Sequence, residues 1–552
     1  MASTNNSVKS LTSLSPGKRK LLNALLEKKG IRSLPRRTIP RRKTSDAAIA
    51  SFLQEGLWFL DRFDPGKPTY NVPGATRLRG PLDLPALEKT LSEIIRRHEA
   101  LRTTFVEKNG KPYQVIAPSK PIQLSVINLE DLPETEREAE VQRLATEEAR
   151  KPFDLSKGPL CRFFLMRLKT EEHVLVLNIH HIVTDGWSMG VFTRELVALY
   201  TAFSPPSIPP QGGNTRVSSL RGAEGVLKDL PIQFADFAIW QREWLQGEVL
   251  KEQLSYWKQQ LSGRLPVLEL PTDRPRPQFQ SCQGGHQTLT LSASLSDALR
   301  MLTQREDFTL FETLLTAFKI FLYHYSGQED IIVGSPVANR NRRELEDLIG
   351  YFVNMLPLRT DLSGNPTFQE LLNRVHKTTM SAYAHQDLPF GKLVEQLRLE
   401  RDPSRNPVFQ VEFILLCYEH APAVYGYGFR SPIKEPLKLS ELTLTPVEVE
   451  SGIAKFDLVV LLWDMPEGIS GTFEYNADLF DAATITGMIK LYETLLTNII
   501  ARPDAKIQVL KNMLADKNVR AQNTKQQQLK SANFEKLKNT RRKAAIAIET
   551  ED

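Results

Sequence analysis

The sequence predicts an α+β protein made of two globular halves. Its 552 residues are enough for two or three domains with sizeable cores. Apolar residues make up 41% and charged residues 25%, a composition that excludes general disorder. Helical and strand-like patterns occur in both halves. We place these halves at residues 46–225 and 226–510, between a basic N-terminal segment (1–45) and a polar, basic C-terminal tail (511–552).

The N-terminal segment predicts a short helix followed by a linker. Leucines lie on one face of a helix over Lys18–Gly30, and Gly30 is a typical helix stop. Pro35–Lys43 is rich in proline and basic residues, which predicts a stiff linker. We expect this charged run to be solvated, with docking to a partner protein as the alternative.

The first half alternates helix and strand patterns. Asp83 and Pro85 are typical of a helix start, and apolar residues follow them at helical spacing. His173–Ile179 is rich in aliphatic and β-branched residues, which predicts a strand. A second amphipathic helix is predicted from Ser188 to about Phe203.

The second half repeats this mixture after a break. Ser204–Ser219 is rich in proline, glycine and serine and predicts a surface loop or linker. Phe311–Tyr325 has a helical pattern, whereas Asp330–Val337 and Phe456–Trp463 are typical of strands. The apolar stretch Val408–Tyr418 predicts a buried strand.

The positive charge lies in the two ends of the chain. The formal net charge is +6, but residues 1–45 carry twelve Lys and Arg against one acidic residue. Residues 511–552 carry ten against five, so residues 46–510 have a net charge of −10. An acidic body argues against a nucleic-acid-binding surface, and we expect no nucleic-acid partner.

The cysteines and the apolar stretches favour the cytoplasm. Cys161, Cys282 and Cys417 are far apart and form no C-x-x-C motif, which excludes a disulfide framework and is typical of a reducing compartment. The first residues lack the apolar run of a signal peptide. The most apolar stretch is interrupted by Gln410 and Glu412, so we expect no membrane span.

The densest group of chemically active residues is Asn178–Gly190, NIHHIVTDGWSMG. His180 and His181 lie at the end of the predicted strand. Successive side chains of a strand point to opposite faces. Only one of them can therefore face a given cavity, and this geometry disfavours a metal site. A histidine in a cavity can accept a proton from an amine or a hydroxyl group. Asp185 can hold the loop by hydrogen bonds or by pairing with a distant arginine.

A second motif overlaps this group. Gly186, Ser188 and Gly190 match the G-x-S-x-G nucleophile elbow of serine hydrolases. That elbow joins a strand directly to a helix, whereas residues 180–185 intervene here. We therefore favour Ser188 as the N-cap of the following helix over Ser188 as a nucleophile.

Several motifs together resemble condensation domains of nonribosomal peptide synthetases. HHIVTDG (His180 to Gly186) resembles the family's HHxxxDG signature. Further segments resemble family motifs in the family's order: SFLQEGLWFL from Ser51, RHEALRTTF from Arg97, FADFAIWQREWL from Phe234, LPTDRPRP from Leu270, GSPVANRNR from Gly334, IGYFVNMLPLR from Ile349 and HQDLPFGKLVEQL from His385. The resemblance covers about residues 48–480.

The resemblance implies a fold and an activity. The fold is an α/β sandwich, a V-shaped pseudodimer of two chloramphenicol-acetyltransferase-like lobes with a central tunnel. The expected partners are donor and acceptor carrier proteins, together with other synthetase modules. Each carrier delivers its substrate as a thioester on a phosphopantetheine arm, so no permanently bound cofactor is expected. The acceptor's amine attacks the donor thioester and an amide forms.

The resemblance also assigns roles to individual residues. His181 matches the functionally central histidine of the family, which acts as a general base or as a hydrogen-bonding positioner of the amine. Gly186 matches the tight turn whose backbone N–H can stabilise an oxyanion. His180 and Asp185 match positions with a structural role, and the motif position of Arg340 makes it the expected ion-pair partner of Asp185.

Three further residues are expected near the tunnel. Asn354, Trp187 and Ser188 are candidates for its lining, with a strand-end hydrogen bond as the alternative for Asn354.

Two positions depart from the family pattern, since Gly56 stands where arginine is usual and Met355 where threonine is common.

The residues of the HHIVTDGWSMG and RHEALRTTF motifs resemble those of condensation domains that join two L-residues. Cyclisation domains carry D-x-x-x-x-D in place of the paired histidines, so the resemblance excludes that subtype. The alternatives are a non-catalytic recruitment domain of the same fold and an ester-forming or epimerising relative. Non-catalytic relatives typically lose the signature residues, which are intact here.

Overall fold

The structure is a computed structural model and describes residues 38–44, 46–204, 227–400, 402–417, 436–439 and 441–514. The predicted helix at Lys18–Gly30, most of the predicted loop at Ser204–Ser219 and the tail beyond residue 514 lie outside the described residues.

The first half contains helices and strands in alternation. Its helices are α1 (Phe52–Phe63), α2 (Leu84–Arg97), α3 (Glu134–Arg150) and α4 (Gly186–Phe203). Its strands are β1 (Ala48–Ile49), β2 (Asn71–Arg79), β3 (Thr103–Lys108), β4 (Lys111–Ile116), β5 (Ser125–Asn128), β6 (Cys161–Lys169) and β7 (Glu172–His180).

The second half has the same mixed character. Its helices are α5 (Phe234–Trp244), α6 (Gly247–Gln260), α7 (Ala293–Arg305), α8 (Leu310–Ser326), α9 (Phe368–Ala384), α10 (Phe390–Leu397) and α11 (Ala482–Ala501). Its strands are β8 (Gly284–Thr290), β9 (Asp330–Val337), β10 (Asn354–Asp361), β11 (Val411–Cys417), β12 (Leu437–Leu439), β13 (Leu442–Val447), β14 (Leu458–Met465) and β15 (Gly468–Asn476).

Local sequence signals account for the ends of several helices. The Asp83 side chain caps α2 by accepting the N–H of Ala86, as predicted from the sequence. Thr309 and Glu312 form a capping box at the start of α8, and Gly327 ends that helix at a φ of 70°. Both helices bury an apolar face, which includes Leu87 and Leu91 of α2 and Leu314 and Phe318 of α8.

Two six-stranded sheets form the two lobes, which confirms the α+β fold. The first has the strand order β12-β13-β2-β7-β6-β5 and the second β10-β9-β11-β14-β15-β8. A smaller sheet has the order β1-β4-β3. Strands β12 and β13 come from the second half of the chain but extend the first sheet, where Thr445 pairs with Arg77 of β2. The chain therefore crosses between the lobes after the division predicted near residue 225.

The hydrophobic core of the first lobe extends into the second half of the chain. Phe234 packs against Phe352 with ring centroids 4.8 Å apart, and both belong to the core that contains β7. Trp58 and Trp240 belong to the same core. The two halves therefore share one packed region around the end of β7.

The prediction of a solvated linker at Pro35–Lys43 is wrong for its last residues. Ile39 is buried in the core of the first lobe. Arg42 forms ion pairs with Glu99 and Asp236. The sequence pattern missed this packing because the charged partners lie 57 and 194 residues away along the chain.

Candidate active site

A cavity of about 3410 Å³ is lined by residues of both halves. His181, Gly186 and Trp187 contribute from the first half, and Tyr351 and Met355 from the second. The predicted signature loop thus lies where the two lobes face each other. No helix of the described residues is both long and apolar enough to cross a membrane.

The backbone around His181 fixes the orientation of its imidazole ring. Strand β7 ends at His180, and His181 begins a short 3-10 turn. The His181 N–H donates to the carbonyl of Tyr70 at 2.8 Å. Its Nδ1 lies 2.9 Å from the carbonyl oxygen of Thr184, which can only accept, so Nδ1 carries the proton. The other ring nitrogen, Nε2, is then an acceptor in the neutral ring.

The surroundings of His181 keep its ring neutral. Burial, followed by the positive charge of Lys455, lowers the pKa of His181 to about 4 against an opposing effect of Asp185. The Tyr351 ring stands edge-on to the imidazole with centroids 5.1 Å apart. A neutral, oriented histidine in a cavity can accept a hydrogen bond or a proton from a nucleophile.

His180 points away from the cavity, as the alternation of side chains along β7 requires. Its Nδ1 accepts the N–H of Ile182 at 3.1 Å, and its ring stands edge-on to Phe153 at 5.9 Å. Burial lowers the pKa of His180 to about 3. His180 therefore holds the turn that carries His181 and does not reach the cavity.

Asp185 is the N-cap of α4 and forms the predicted ion pair with Arg340. Its Oδ1 accepts the Ser188 N–H at 2.8 Å and Arg340 Nη2 at 3.1 Å, while Oδ2 accepts the Phe352 N–H at 3.0 Å. Arg340 also donates to the carbonyl of Leu348 at 2.8 Å. Both charged groups are buried, so this network joins the signature loop to the second half of the chain.

The structure corrects the two predictions for Ser188. Helix α4 begins at Gly186 with Asp185 as its cap, so Ser188 is not the N-cap. Its hydroxyl donates to Asp185 at 2.7 Å and accepts from Arg340 at 2.8 Å and from the Gly350 N–H at 3.0 Å. Ser188 is fully buried and does not line the cavity, because these partners surround it. A hydroxyl engaged in this way within a helix is also not the nucleophile of an elbow.

Trp187 lines the cavity, whereas Asn354 does not. The indole N–H of Trp187 donates to the Glu346 carbonyl at 2.8 Å. The Asn354 amide donates to the carbonyls of Gln386 and Leu388 and accepts the N–H of Phe390. The tunnel-lining prediction for Asn354 is therefore wrong, because its amide makes the strand-end hydrogen bonds that were the alternative.

Among the charged residues of the cavity wall that sequence reasoning missed are Glu412, Lys455 and Glu474. Glu412 interrupts an apolar strand, which was a visible signal. Burial raises its pKa to about 8. Tyr351 was also missed, since an isolated aromatic residue in a sequence gives no sign that it will contact a histidine 170 residues earlier.

The sequence matches the Condensation domain family over residues 44–214 and 219–521. The chain is a condensation domain. It is 47% identical over 475 residues to one of the linear gramicidin synthase subunits of Brevibacillus parabrevis, covering 86% of this chain and 6% of that protein. It is 38% identical over 512 residues to the phosphinothricin tripeptide synthetase PhsC of Streptomyces viridochromogenes, covering 92% of this chain and 44% of that protein. The condensation domain thus spans only part of each relative, both of which are nonribosomal peptide synthetase subunits.

Solved structures share the fold of this condensation domain. The X-domain from teicoplanin biosynthesis matches with a TM-score of 0.73 and 28% identity, over 86% of this chain and 99% of that one. The first condensation domain of the calcium-dependent antibiotic synthetase, in complex with a substrate analogue, matches with a TM-score of 0.65 and 19% identity, over 84% and 99% of the two chains. The second likeness bears on the fold alone.

Proposed function

We propose that this condensation domain forms an amide bond between two substrates held on carrier proteins. The donor is an acyl or peptidyl thioester and the acceptor an aminoacyl thioester, each on a phosphopantetheine arm, and both residues are of the L type. The observation that carries the proposal is the neutral, oriented ring of His181 on the wall of a cavity between two lobes. Such a domain would work in the cytoplasm with neighbouring synthetase modules.

The proposed chemistry uses the free nitrogen of His181. Nε2 accepts a hydrogen bond from the acceptor's amine and aligns its lone pair with the donor carbonyl. Gly186 begins α4 at the cavity wall, and its backbone N–H stabilises negative charge on the carbonyl oxygen. Asp185 and Arg340 act as positioning residues, because their side chains bind each other and the backbone that carries the loop.

The test is dipeptide transfer between separately loaded carrier proteins, followed by mass spectrometry. We expect His181→Ala to reduce the rate by at least about 10²-fold, the usual contribution of a positioned acid–base group. His385→Ala is the matched control, since His385 stacks on Tyr256 at 3.9 Å and does not line the cavity. Equal rates for wild type and His181→Ala would contradict the proposal.

A recruitment domain without catalytic activity is the second candidate. It is favoured by the likeness to the teicoplanin X-domain, at a TM-score of 0.73. The complete His180–Gly186 signature argues for the enzyme. Carrier binding without transfer for any pair of loaded carriers would support the recruitment domain instead.

A further inference from the structure

Tyr351 is an aromatic residue that the second half of the chain places against His181. The two rings stand edge-on to each other, with centroids 5.1 Å apart. Both side chains line the same cavity. A substrate group that binds the imidazole of His181 therefore comes close to the phenol of Tyr351.

The signature loop also holds the backbone on both sides of Tyr351. The Gly350 N–H donates to the Ser188 hydroxyl at 3.0 Å. The Phe352 N–H donates to Asp185 Oδ2, also at 3.0 Å. The side chains that shape the loop around the central histidine thus also fix the position of Tyr351, although the two segments are far apart in the sequence.

The hydroxyl of Tyr351 is available to a ligand. It forms no hydrogen bond among the described residues, and it is not sealed off from the cavity that the side chain lines. Burial raises the pKa of this hydroxyl, so the group stays neutral at physiological pH. A neutral phenol has one O–H donor and lone pairs that accept hydrogen bonds.

A primary amine that attacks a carbonyl is oriented best by two acceptors. It has two N–H groups and one lone pair, and the lone pair must face the carbon that it attacks. His181 Nε2 can accept one N–H, which leaves the amine free to rotate about that hydrogen bond. A second acceptor beside the imidazole removes this freedom, because it fixes the other N–H.

We propose that Tyr351 is a catalytic residue whose hydroxyl oxygen accepts the second N–H of the acceptor's primary amine. The inference rests on the proposed amide-forming function and specifies the class of acceptor. With one N–H bound to His181 Nε2 and the other to Tyr351, the lone pair points towards the donor thioester. An N-methylated amine has a single N–H and cannot use both acceptors.

The transfer balances without redox change. The amine lone pair forms the C–N bond, and the carbonyl π pair moves to the oxygen. His181 Nε2 takes one proton from the nitrogen, while Tyr351 keeps its own proton throughout. The carbonyl then re-forms, the C–S bond breaks with its electron pair on sulfur, and the proton on Nε2 passes to that sulfur. The products are an amide and a free pantetheine thiol.

The test compares alanyl and N-methylalanyl thioesters on the same acceptor carrier. Tyr351→Phe keeps the ring that contacts His181 and removes only the hydroxyl. We expect this variant to slow transfer to the alanyl acceptor by about 10-fold, the effect of one hydrogen bond, and to leave the rate with N-methylalanine unchanged. Equal slowing with both acceptors, or slowing with neither, would overturn the proposal.

Tyr383→Phe is the matched control and is expected to change neither rate. Tyr383 lines the same cavity from α9 and has no ring contact with His181 among the residues that the structure describes. Thermal unfolding of both variants is expected to match that of wild type, because each substitution removes a single oxygen and keeps the ring.

A binding measurement separates this inference from the proposed function. Isothermal titration calorimetry follows the loaded acceptor carrier without any donor. We expect Tyr351→Phe to bind the alanyl-loaded carrier several-fold more weakly than wild type and the N-methylalanyl-loaded carrier equally well. Unchanged binding of the alanyl-loaded carrier would contradict the inference. Absence of transfer in wild type, together with weaker binding in Tyr351→Phe, would contradict the amide-forming function and leave the contact between Tyr351 and the amine in place.

Discussion

Asp185 and Arg340 carry opposite charges in the interior, with side chains 2% and 1% exposed. Removing one partner of such a pair leaves an uncompensated buried charge. We expect Arg340→Met to lower the free energy of unfolding by about 3–5 kcal/mol. The free energy of unfolding is measured by urea denaturation of four proteins: wild type, Arg340→Met, Asp185→Asn and the double variant. The double variant should lose less than the sum of the single losses, and strictly additive losses would contradict the direct pairing.

Lys319 is another buried ionisable residue, and it is not among the residues that line the cavity. It is fully buried, and its ammonium donates to the carbonyls of Ile331 at 3.3 Å and Leu358 at 2.7 Å. Burial lowers its pKa from 10.5 to about 7. Between these two values the unfolded chain binds the proton and the folded protein does not, so stability rises with pH across this window.

We therefore expect wild type to gain stability relative to Lys319→Met as the pH rises from 7 to 10, the window set by the lowered pKa of Lys319. The difference in the free energy of unfolding between the two proteins changes by at most about 1.4 kcal/mol per pH unit, the value for one proton. Denaturation curves of both proteins at several pH values measure the difference. Parallel pH dependences would show that Lys319 titrates alike in the folded and unfolded states.

At the scale of elements, α1 presents an apolar face at the edge of the cavity. Phe59, Leu60 and Phe63 line the cavity and are 53%, 46% and 75% exposed, so they lie at its opening. Under the proposed function, the arm of a carrier protein would enter the cavity past this opening, and exposed apolar side chains are typical of protein-binding surfaces.

We expect Phe63→Ser to raise the KM for a loaded carrier several-fold without changing the rate with a small soluble thioester. Steady-state kinetics with both substrates measure this. Val509→Ser is the matched control, because Val509 is also exposed (41%) but lies outside the cavity. Equal effects of the two substitutions, or an effect on both substrates, would contradict carrier docking at α1.

At the scale of the whole molecule, the N-terminal segment divides into two parts. Ile39 and Arg42 pack against the first lobe, whereas residues 1–37 carry most of the positive charge of the segment. We expect removal of residues 1–37 to leave stability and intrinsic transfer unchanged and to weaken coupling to an acidic partner domain.

Removal of residues 1–45 should instead lower the free energy of unfolding by about 2 kcal/mol or more, since it removes the buried Ile39 and the ion pairs of Arg42. Thermal and urea unfolding of the two truncated proteins measure this difference. Equal stabilities would show that residues 38–45 contribute nothing to the fold.

The local elements, and the placement of His180 and His181 on opposite faces, could be predicted from the order of residues alone. The alternation before His180 predicted a strand whose last side chains point to opposite faces, and β7 ends there with His181 on the cavity wall and His180 outside it. Asp83 predicted the start of α2, because a cap depends only on residues three positions apart. Motif order further predicted that Arg340 would pair with Asp185.

Which side chains face the cavity depends on the packing of distant segments. Ser188 and Asn354 belong to motifs that resemble those of the family. Their polar atoms bind backbone groups of other segments, so neither side chain lines the cavity. Lys455 reaches the surroundings of His181 from 274 residues further along the chain, and β13 crosses to the first sheet. The capping of a helix and the alternation of side chains along a strand depend on neighbours in sequence, whereas burial and charge at a site depend on the segments that fold against it.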